Sequence, residues 1–275
     1  MTISTLMVHL HLGTPNEGKL RHAVELARVF EAGVIGVAAA EMMQFTYGDG
    51  YIPGDLIESN RAMVGEQIRA AEAEFRTAFA SHGHFLDWRS GVLLTPLAAY
   101  LASEARAADL VILSARSGAL ADAPSRTSAG ELLMQLGRPA LVVPEPGGTP
   151  RFARVMVAWK DTREARRATF DALPLLRRAR SVTLVGVHGR EDQGSTHAQL
   201  TAVMGWLGRN GVAATIMPLR SDGHDAVQLL RVATELETDV VVAGAYGHSR
   251  FREWVLGGVT RDLLAQETRC SLLSH

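Results

Sequence analysis

The run Asp239-Val240-Val241-Val242-Ala243-Gly244-Ala245-Tyr246-Gly247-His248, with nine residues intervening between Gly247 and the following Gly257-Gly258-Val259-Thr260, carries the strongest local signal in the chain. The apolar stretch Asp239 to Ala243 predicts a short strand of the kind buried on both faces of a parallel sheet. Glycines straight after a strand let backbone N–H groups approach an anion with no Cβ in the way. A helix opening at Gly257 to Val259 aims its free amides and positive dipole end at phosphate. The same glycines also serve tight turns and close helix–sheet packing, so the spacing Gly-x2-Gly-x9-Gly leaves both readings open.

This strand has a counterpart earlier in the chain. Asp109-Leu110-Val111-Ile112 matches Asp239-Val240-Val241-Val242, Met7-Val8 matches Met156-Val157, Leu132-Leu133 matches Leu263-Leu264, and Arg138 matches Arg269, all in the same order. Pro144-Glu145-Pro146-Gly147-Gly148-Thr149-Pro150 lies between the copies and is rich in residues that stop helices and strands. Two domains are therefore expected, residues 1–146 and 151–275. Strand-prone runs at Leu6 to Leu12, Ala140 to Val143, Val155 to Trp159 and Val182 to Val187 alternate with helical stretches at Leu56 to Ser81, Pro96 to Arg106 and Ala226 to Leu236. This is the signature of β-α-β units, so each half is α/β with a parallel sheet. Ligands of such sheets sit beyond the C-terminal ends of the strands, which directs attention to the loops after Val157, Val187 and Val242. The main asymmetry is an extra excursion in the first half, Tyr47 to Asn60, with a longer helix after it.

Composition narrows the function classes. The chain has 275 residues, 47% of them hydrophobic, and its 28 Lys+Arg against 29 Asp+Glu give a formal net charge of -1. A folded protein without a large positive field is implied, which argues against nucleic acid and acidic membranes as partners. The single cysteine, Cys270, reads as a small buried hydrophobe ahead of the last strand and suits a reducing compartment, so cytoplasm is expected. The N-terminus carries no basic run ahead of an apolar stretch, and Gly33 to Met43, the most apolar window, is too short to span a bilayer.

With the tandem repeat added, the stretch Gly244 to Leu264 resembles the universal stress protein family, and the resemblance runs over essentially the whole chain. It implies two tandem Rossmann-like domains of the adenine nucleotide alpha hydrolase type, each an open, mostly parallel five-stranded sheet flanked by helices. It also implies a noncatalytic protein of stress response or signalling that binds ATP or ADP, with Mg2+ carried by the nucleotide. The residues so implicated are Gly244, Gly247, His248, Gly257, Gly258 and Val259 around the phosphates, with Asp161 at the ribose; Ser249 and Arg250 border the loop. Two departures from the family pattern stand out. Gly258 replaces the hydroxyl residue after the third glycine, and Lys160-Asp161-Thr162 puts either Lys160 or Asp161 where an acidic residue is usual. Asp161 reads equally as part of a helix cap with Thr162. The first-half loop, Ser114-Ala115-Arg116-Ser117-Gly118, and the later Arg126-Thr127-Ser128 lack the glycines, so that half is expected to have lost the nucleotide mode. Family members pair through edge strands, which here implies pairing of the two halves within one chain, with a homodimer and an unidentified protein partner as further possibilities.

A competing motif lies near the start of the chain. Gly13-Thr14-Pro15-Asn16-Glu17-Gly18-Lys19 matches Gly-x4-Gly-Lys, and an ATP-consuming enzyme built on it is the third alternative after a nucleotide binder and an interaction module that has lost the nucleotide. Leu20 stands where a P-loop needs a Mg2+-binding hydroxyl, and Glu17 would repel phosphate, so the favoured reading is a strand-to-helix turn with an exposed Lys19. His9 and His11 alternate on the first strand and, with His22 nearby, suggest packing or polar contacts rather than a metal. The arginines 163, 166, 167, 177, 178 and 180 predict one basic helix with a solvated face. No catalytic or metal-ligating set is predicted.

Overall fold

Ten strands form one sheet in the order β3-β2-β1-β4-β5-β10-β9-β6-β7-β8. The computed structural model describes residues 2–41, 54–114, 129–144, 149–245, 263 and 268–275. In the first half the strands are β1 (Thr5–His9), β2 (Gly33–Glu41), β3 (Leu86–Leu93), β4 (Leu110–Ser114) and β5 (Ala140–Val143). The helices between them are α1 (Glu17–Phe30), α2 (Gly54–Ala78), α3 (Leu97–Glu104) and α4 (Ala129–Leu136). The second half repeats the plan with β6 (Arg154–Trp159), α5 (Arg163–Asp171), α6 (Leu173–Leu176), β7 (Ser181–His188), α7 (Gln193–Arg209), β8 (Thr215–Arg220), α8 (Asp225–Glu235), β9 (Val240–Gly244) and β10 (Cys270–Ser274).

Each half is a parallel five-stranded sheet, 3-2-1-4-5 in the first and 8-7-6-9-10 in the second, and an antiparallel pairing of β5 with β10 welds them. At this seam Val142 faces Ser271, Leu141 faces Leu272 and Ala140 faces Leu273. The expected pairing of the halves within one chain is thus observed. It hides an edge strand of each half-sheet that would otherwise present unpaired backbone groups.

The central strands are largely apolar because helices cover both faces of the sheet, whereas the edge strands β3 and β8 carry polar residues. On one face Leu141, Val143, Cys270 and Leu272 pack with Leu20, Ala23 and Leu26 of α1, Phe75 of α2, Ala165 and Ala168 of α5 and Leu200 of α7. On the other, Val142 and Leu273 pack with Leu97 and Leu101 of α3, Leu132 and Leu133 of α4 and Val232 of α8. Both apolar layers run across the seam without a break.

The structure corrects the sequence expectations at four places. The first strand stops at His9 rather than Leu12, because Leu10 to Asn16 form the turn into α1. The helix expected over Leu56 to Ser81 runs instead from Gly54 to Ala78. The basic helix is two helices, broken around Ala172 where Pro174 opens the second, and its arginines are largely engaged. Arg166 pairs with Asp161, Arg167 with Asp171, and Arg178 lies over the Phe30 ring at 5.2 Å. Cys270 is the first residue of β10 rather than ahead of it, and it is buried as expected. Among the described residues no helix is long and apolar enough to cross a membrane.

Because the seam and both apolar layers are continuous, removing one seam side chain should weaken the whole sheet. Leu272→Ala is expected to cost about 2–5 kcal/mol and to shift a single urea-unfolding transition as one. Two separate transitions would contradict this.

Candidate functional site

The order of the second half, β7-β6-β9, places a topological switch point between β6 and β9, since the chain leaves β6 toward β7 and later returns to build β9 on its other side. Ligands of open α/β sheets occupy the crevice at such a point, beyond the strands' C-terminal ends. Two connections border it: Lys160 to Thr162 after β6, and the glycine loop that starts at Gly244.

Only three residues separate β6 from α5, so the helix starts close against the neighbouring strand. A Cβ built on Gly244 would lie 2.5 Å from the Ala165 amide nitrogen, 2.6 Å from the Glu164 carbonyl carbon and 2.8 Å from Glu164 Cβ. Position 244 therefore accepts only glycine while α5 stays where it is. This is a close-packing role, and it brings the start of the glycine loop up against the helix. The first half shows the contrast. There seven residues separate β1 from α1, and the equivalent position holds Ser114, buried at the end of β4.

Thr162 is the cap of α5, its hydroxyl accepting from the Ala165 amide at 3.3 Å. Asp161 is not the cap. It is exposed and takes the Arg166 guanidinium through Oδ1, at 2.7 Å from Nη2 and 3.2 Å from Nε, with no hydrogen bond at Oδ2 among the described residues. An exposed pair of this kind is worth little, so the carboxylate can be redirected at small cost.

Glu164 is a residue that sequence reasoning misses. It falls on the apolar stripe of α5 with Ala165, Ala168 and Ala172, and only 4% of it is exposed. Burial pushes its carboxyl up, but hydrogen bonds from Arg163, its own amide and Thr162 outweigh that and hold it below the usual carboxylate range. An ionised Glu164 and a filled cap close the α5 N-terminus to anions. Any phosphate in the crevice must then be met by the glycine loop and the residues beyond it. At the start of that loop, the Ala245 amide is still held in the sheet by the Ser274 carbonyl at 2.8 Å, and Nδ1 of His275 lies 3.1 Å from the Ala245 carbonyl oxygen. Gly247, His248, Gly257, Gly258 and Val259 lie outside the described residues, as do Arg116 and Arg126 of the first half.

The P-loop-like turn of the first half is a closed knot. Gly13 adopts φ +70, a left-handed conformation that favours glycine. Asn16 Oδ1 accepts from the His11 amide at 2.8 Å, and its Nδ2 donates to the His11 carbonyl at 3.0 Å and to Glu74 of α2 at 3.1 Å. Lys19, expected at the surface, is instead 1% exposed, and Nζ donates to the His9 carbonyl at 2.5 Å and to Asn16 Oδ1 at 3.3 Å. The reason is geometric. His9 ends β1, and Lys19 in the first turn of α1 reaches back to its carbonyl. A lysine committed inward in this way does not present its ammonium to phosphate, so the ATP-consuming P-loop reading is withdrawn. His9 and His11 meet as ring edges, with centroids 5.1 Å apart, and Nδ1 of His22 lies 2.8 Å from the Gly18 carbonyl. These contacts fit the packing and polar roles expected of them.

At the opposite end of the sheet, burial and then the nearby Asp239 charge push the Cys270 thiol up to about 12. It stays protonated through neutral pH and is not a nucleophile. Native protein should therefore resist a thiol-labelling reagent at pH 8 and react only after addition of urea; rapid native labelling would refute the burial. Lys19→Ala should lower stability by about 1–3 kcal/mol in urea unfolding while leaving nucleotide affinity in equilibrium dialysis unchanged.

Compared with solved structures, the chain is similar to a universal stress protein from Archaeoglobus fulgidus, with a TM-score of 0.71, 12% identity, and 98% of this chain and 97% of that chain covered. It is also similar to a functionally unknown protein from Pseudomonas aeruginosa, with a TM-score of 0.64 and 13% identity over 99% and 92% of the two chains. A third, from a strain of the same species and provisionally described as a universal stress protein, gives 0.65 and 13% over 99% and 93%. At these identities the likeness is one of fold, a tandem doubly wound sheet along nearly the full chain. No protein-family model and no curated protein matches the sequence.

Proposed function

We propose that the chain is a universal stress protein of the tandem type, whose second half binds ATP or ADP and does not turn it over. The observation that carries the reading is the switch-point crevice between β6 and β9, bordered by Asp161 on one side and by the start of the Gly-x2-Gly-x9-Gly loop on the other. Backbone amides of Gly247, Gly257, Gly258 and Val259 would hold the phosphates, with Mg2+ arriving on the nucleotide. His248 would border them, and Asp161 would accept from a ribose hydroxyl. Glu164, the buried acid beside Gly244, is tied to Arg163 and is not placed to activate water, which favours a binding and signalling role over an enzyme. A cytoplasmic site of action fits the single buried thiol.

A second reading, an interaction module that no longer binds nucleotide, is favoured by one observation. Packing against α5 already accounts for the glycine at 244. Equilibrium dialysis of the full chain with ATP and ADP separates the two. The first reading expects saturable binding, weakened about tenfold or more in folded Gly247→Val, where a side chain would block phosphate approach. No binding by the unaltered chain, or unchanged affinity in that variant, would favour the interaction module.

A further inference from the structure

At the end of the second half's strands opposite the crevice, where the halves meet, lies a cavity of about 470 Å3. Its walls come from both halves. His22 of α1 and Pro144 after β5 close one side, and Arg151, Arg154, Asp239 and Arg269 close the other. The size falls within the range of small-molecule sites.

Its charges do not cancel. Asp239 accepts from the Ala153 amide at 3.0 Å and the Arg154 amide at 2.8 Å, and its other oxygen pairs with the Arg154 guanidinium, which also pairs with Glu237. Both acids on the wall are thus engaged by the backbone and by Arg154. Among the described residues Arg269 has no carboxylate partner. Its Nη2 donates to the Thr234 hydroxyl at 2.8 Å, its Nε to the Thr268 hydroxyl at 3.4 Å, and its Nη1 is enclosed with no hydrogen bond. Burial holds its pKa below the usual arginine value, a sign of how much hydration the guanidinium has given up. Arg151 is exposed at the rim and forms no ion pair among the described residues. His22 adds no charge at neutral pH, since burial lowers its pKa, with a Gly18 carbonyl contact opposing and Arg21 adding to the effect.

The repeat supplies an internal comparison. Arg138, the equivalent of Arg269, is exposed and donates to the Arg106 carbonyl at 3.1 Å, tying the lead of β5 to the helical turn that follows α3. Arg269 makes the matching tie to Thr234 of α8 but is half-buried and walls the cavity. The tie is common to both halves; the desolvated cation beside an open volume belongs to the second alone.

We propose that this cavity binds a small phosphorylated molecule, held by the guanidinium groups of Arg269 and Arg151 with the hydroxyls of Thr149 and Thr238 alongside. To meet the ligand Arg269 releases Nε and Nη2 from the Thr268 and Thr234 hydroxyls; a planar guanidinium then pairs with phosphate through parallel N–H donors, and a multivalent anion offsets a desolvated cation better than a monovalent one. The site is separate from the crevice at the other end of the strands and does not depend on nucleotide binding there.

The test is calorimetric titration of inorganic pyrophosphate into the full chain, with citrate in a parallel arm. Pyrophosphate is expected to bind more tightly than citrate, and to bind Arg269→Gln at least about tenfold more weakly. Arg151→Gln should weaken it by a smaller factor, and Gly247→Val should leave it unchanged. No binding to the unaltered chain, equal binding to both arginine variants, or loss in Gly247→Val would overturn the proposal, the last by moving the anion to the crevice. Citrate binding as tight as pyrophosphate would overturn the phosphate assignment. Should Arg269→Gln fail to fold, Arg151→Gln decides, because its side chain holds no other element in place.

Discussion

A strand that hands over to a helix after only three residues leaves that helix little room, and in the second half the first turn of α5 lies against the end of β9 as a result. The geometry of the crevice is set by this contact. Gly244 can have no side chain, Thr162 must cap the helix within its own connection, and Glu164 is carried beneath the surface, where its charge and its bonds close the helix end to anions. The proposed phosphate site between β6 and β9 therefore draws on the glycine loop rather than on α5. In the first half seven residues make the same connection, and the constraint vanishes. The end of β4 carries Ser114, and the turn is filled by Asn16 and the ammonium of Lys19. One difference in connection length thus separates a half built around close backbone approach from a half closed by side chains.

The antiparallel seam joins these unlike halves rigidly. Parallel half-sheets end in edges, and pairing β5 with β10 removes one edge from each while letting the apolar layers on both faces continue. It also places the linker end, α1 and the starts of β6, β9 and β10 around the cavity at the opposite end of the second half-sheet. The two proposed anion sites are thus unlike: one would rely on bare backbone in the crevice, the other on arginine side chains between the halves.

Much of the architecture is legible in the sequence because it rests on local pattern. The apolar run after Asp239, its earlier copy after Asp109, and the punctuation at Pro144 to Pro150 suffice for the tandem α/β plan, while the pairing of its halves is implied only by the family resemblance. What the sequence conceals depends on groups that meet only in space. Lys19 looks like a solvated lysine on an amphipathic helix, and nothing nearby in sequence announces that the His9 carbonyl lies within its reach. Glu164 does carry a signal, since it sits on the stripe of Ala165, Ala168 and Ala172, but an acid on an apolar stripe says little until its partners are known. The break before α6 is marked by Pro174, yet the run of arginines across it reads as one continuous helix. The inter-half cavity has no sequence signal at all, as it gathers residues from positions 22, 144 to 154, 234 to 239 and 268 to 270.

An anion received by backbone amides of the second half alone would leave its mark on those amides. Amide hydrogen exchange of the full chain with and without saturating ADP reads them directly. Slowed exchange at residues 246–248 and 257–259, with residues 115–118 unchanged, is the result expected. Slowing confined to the first half, or none in the glycine loop despite bound nucleotide, would contradict it.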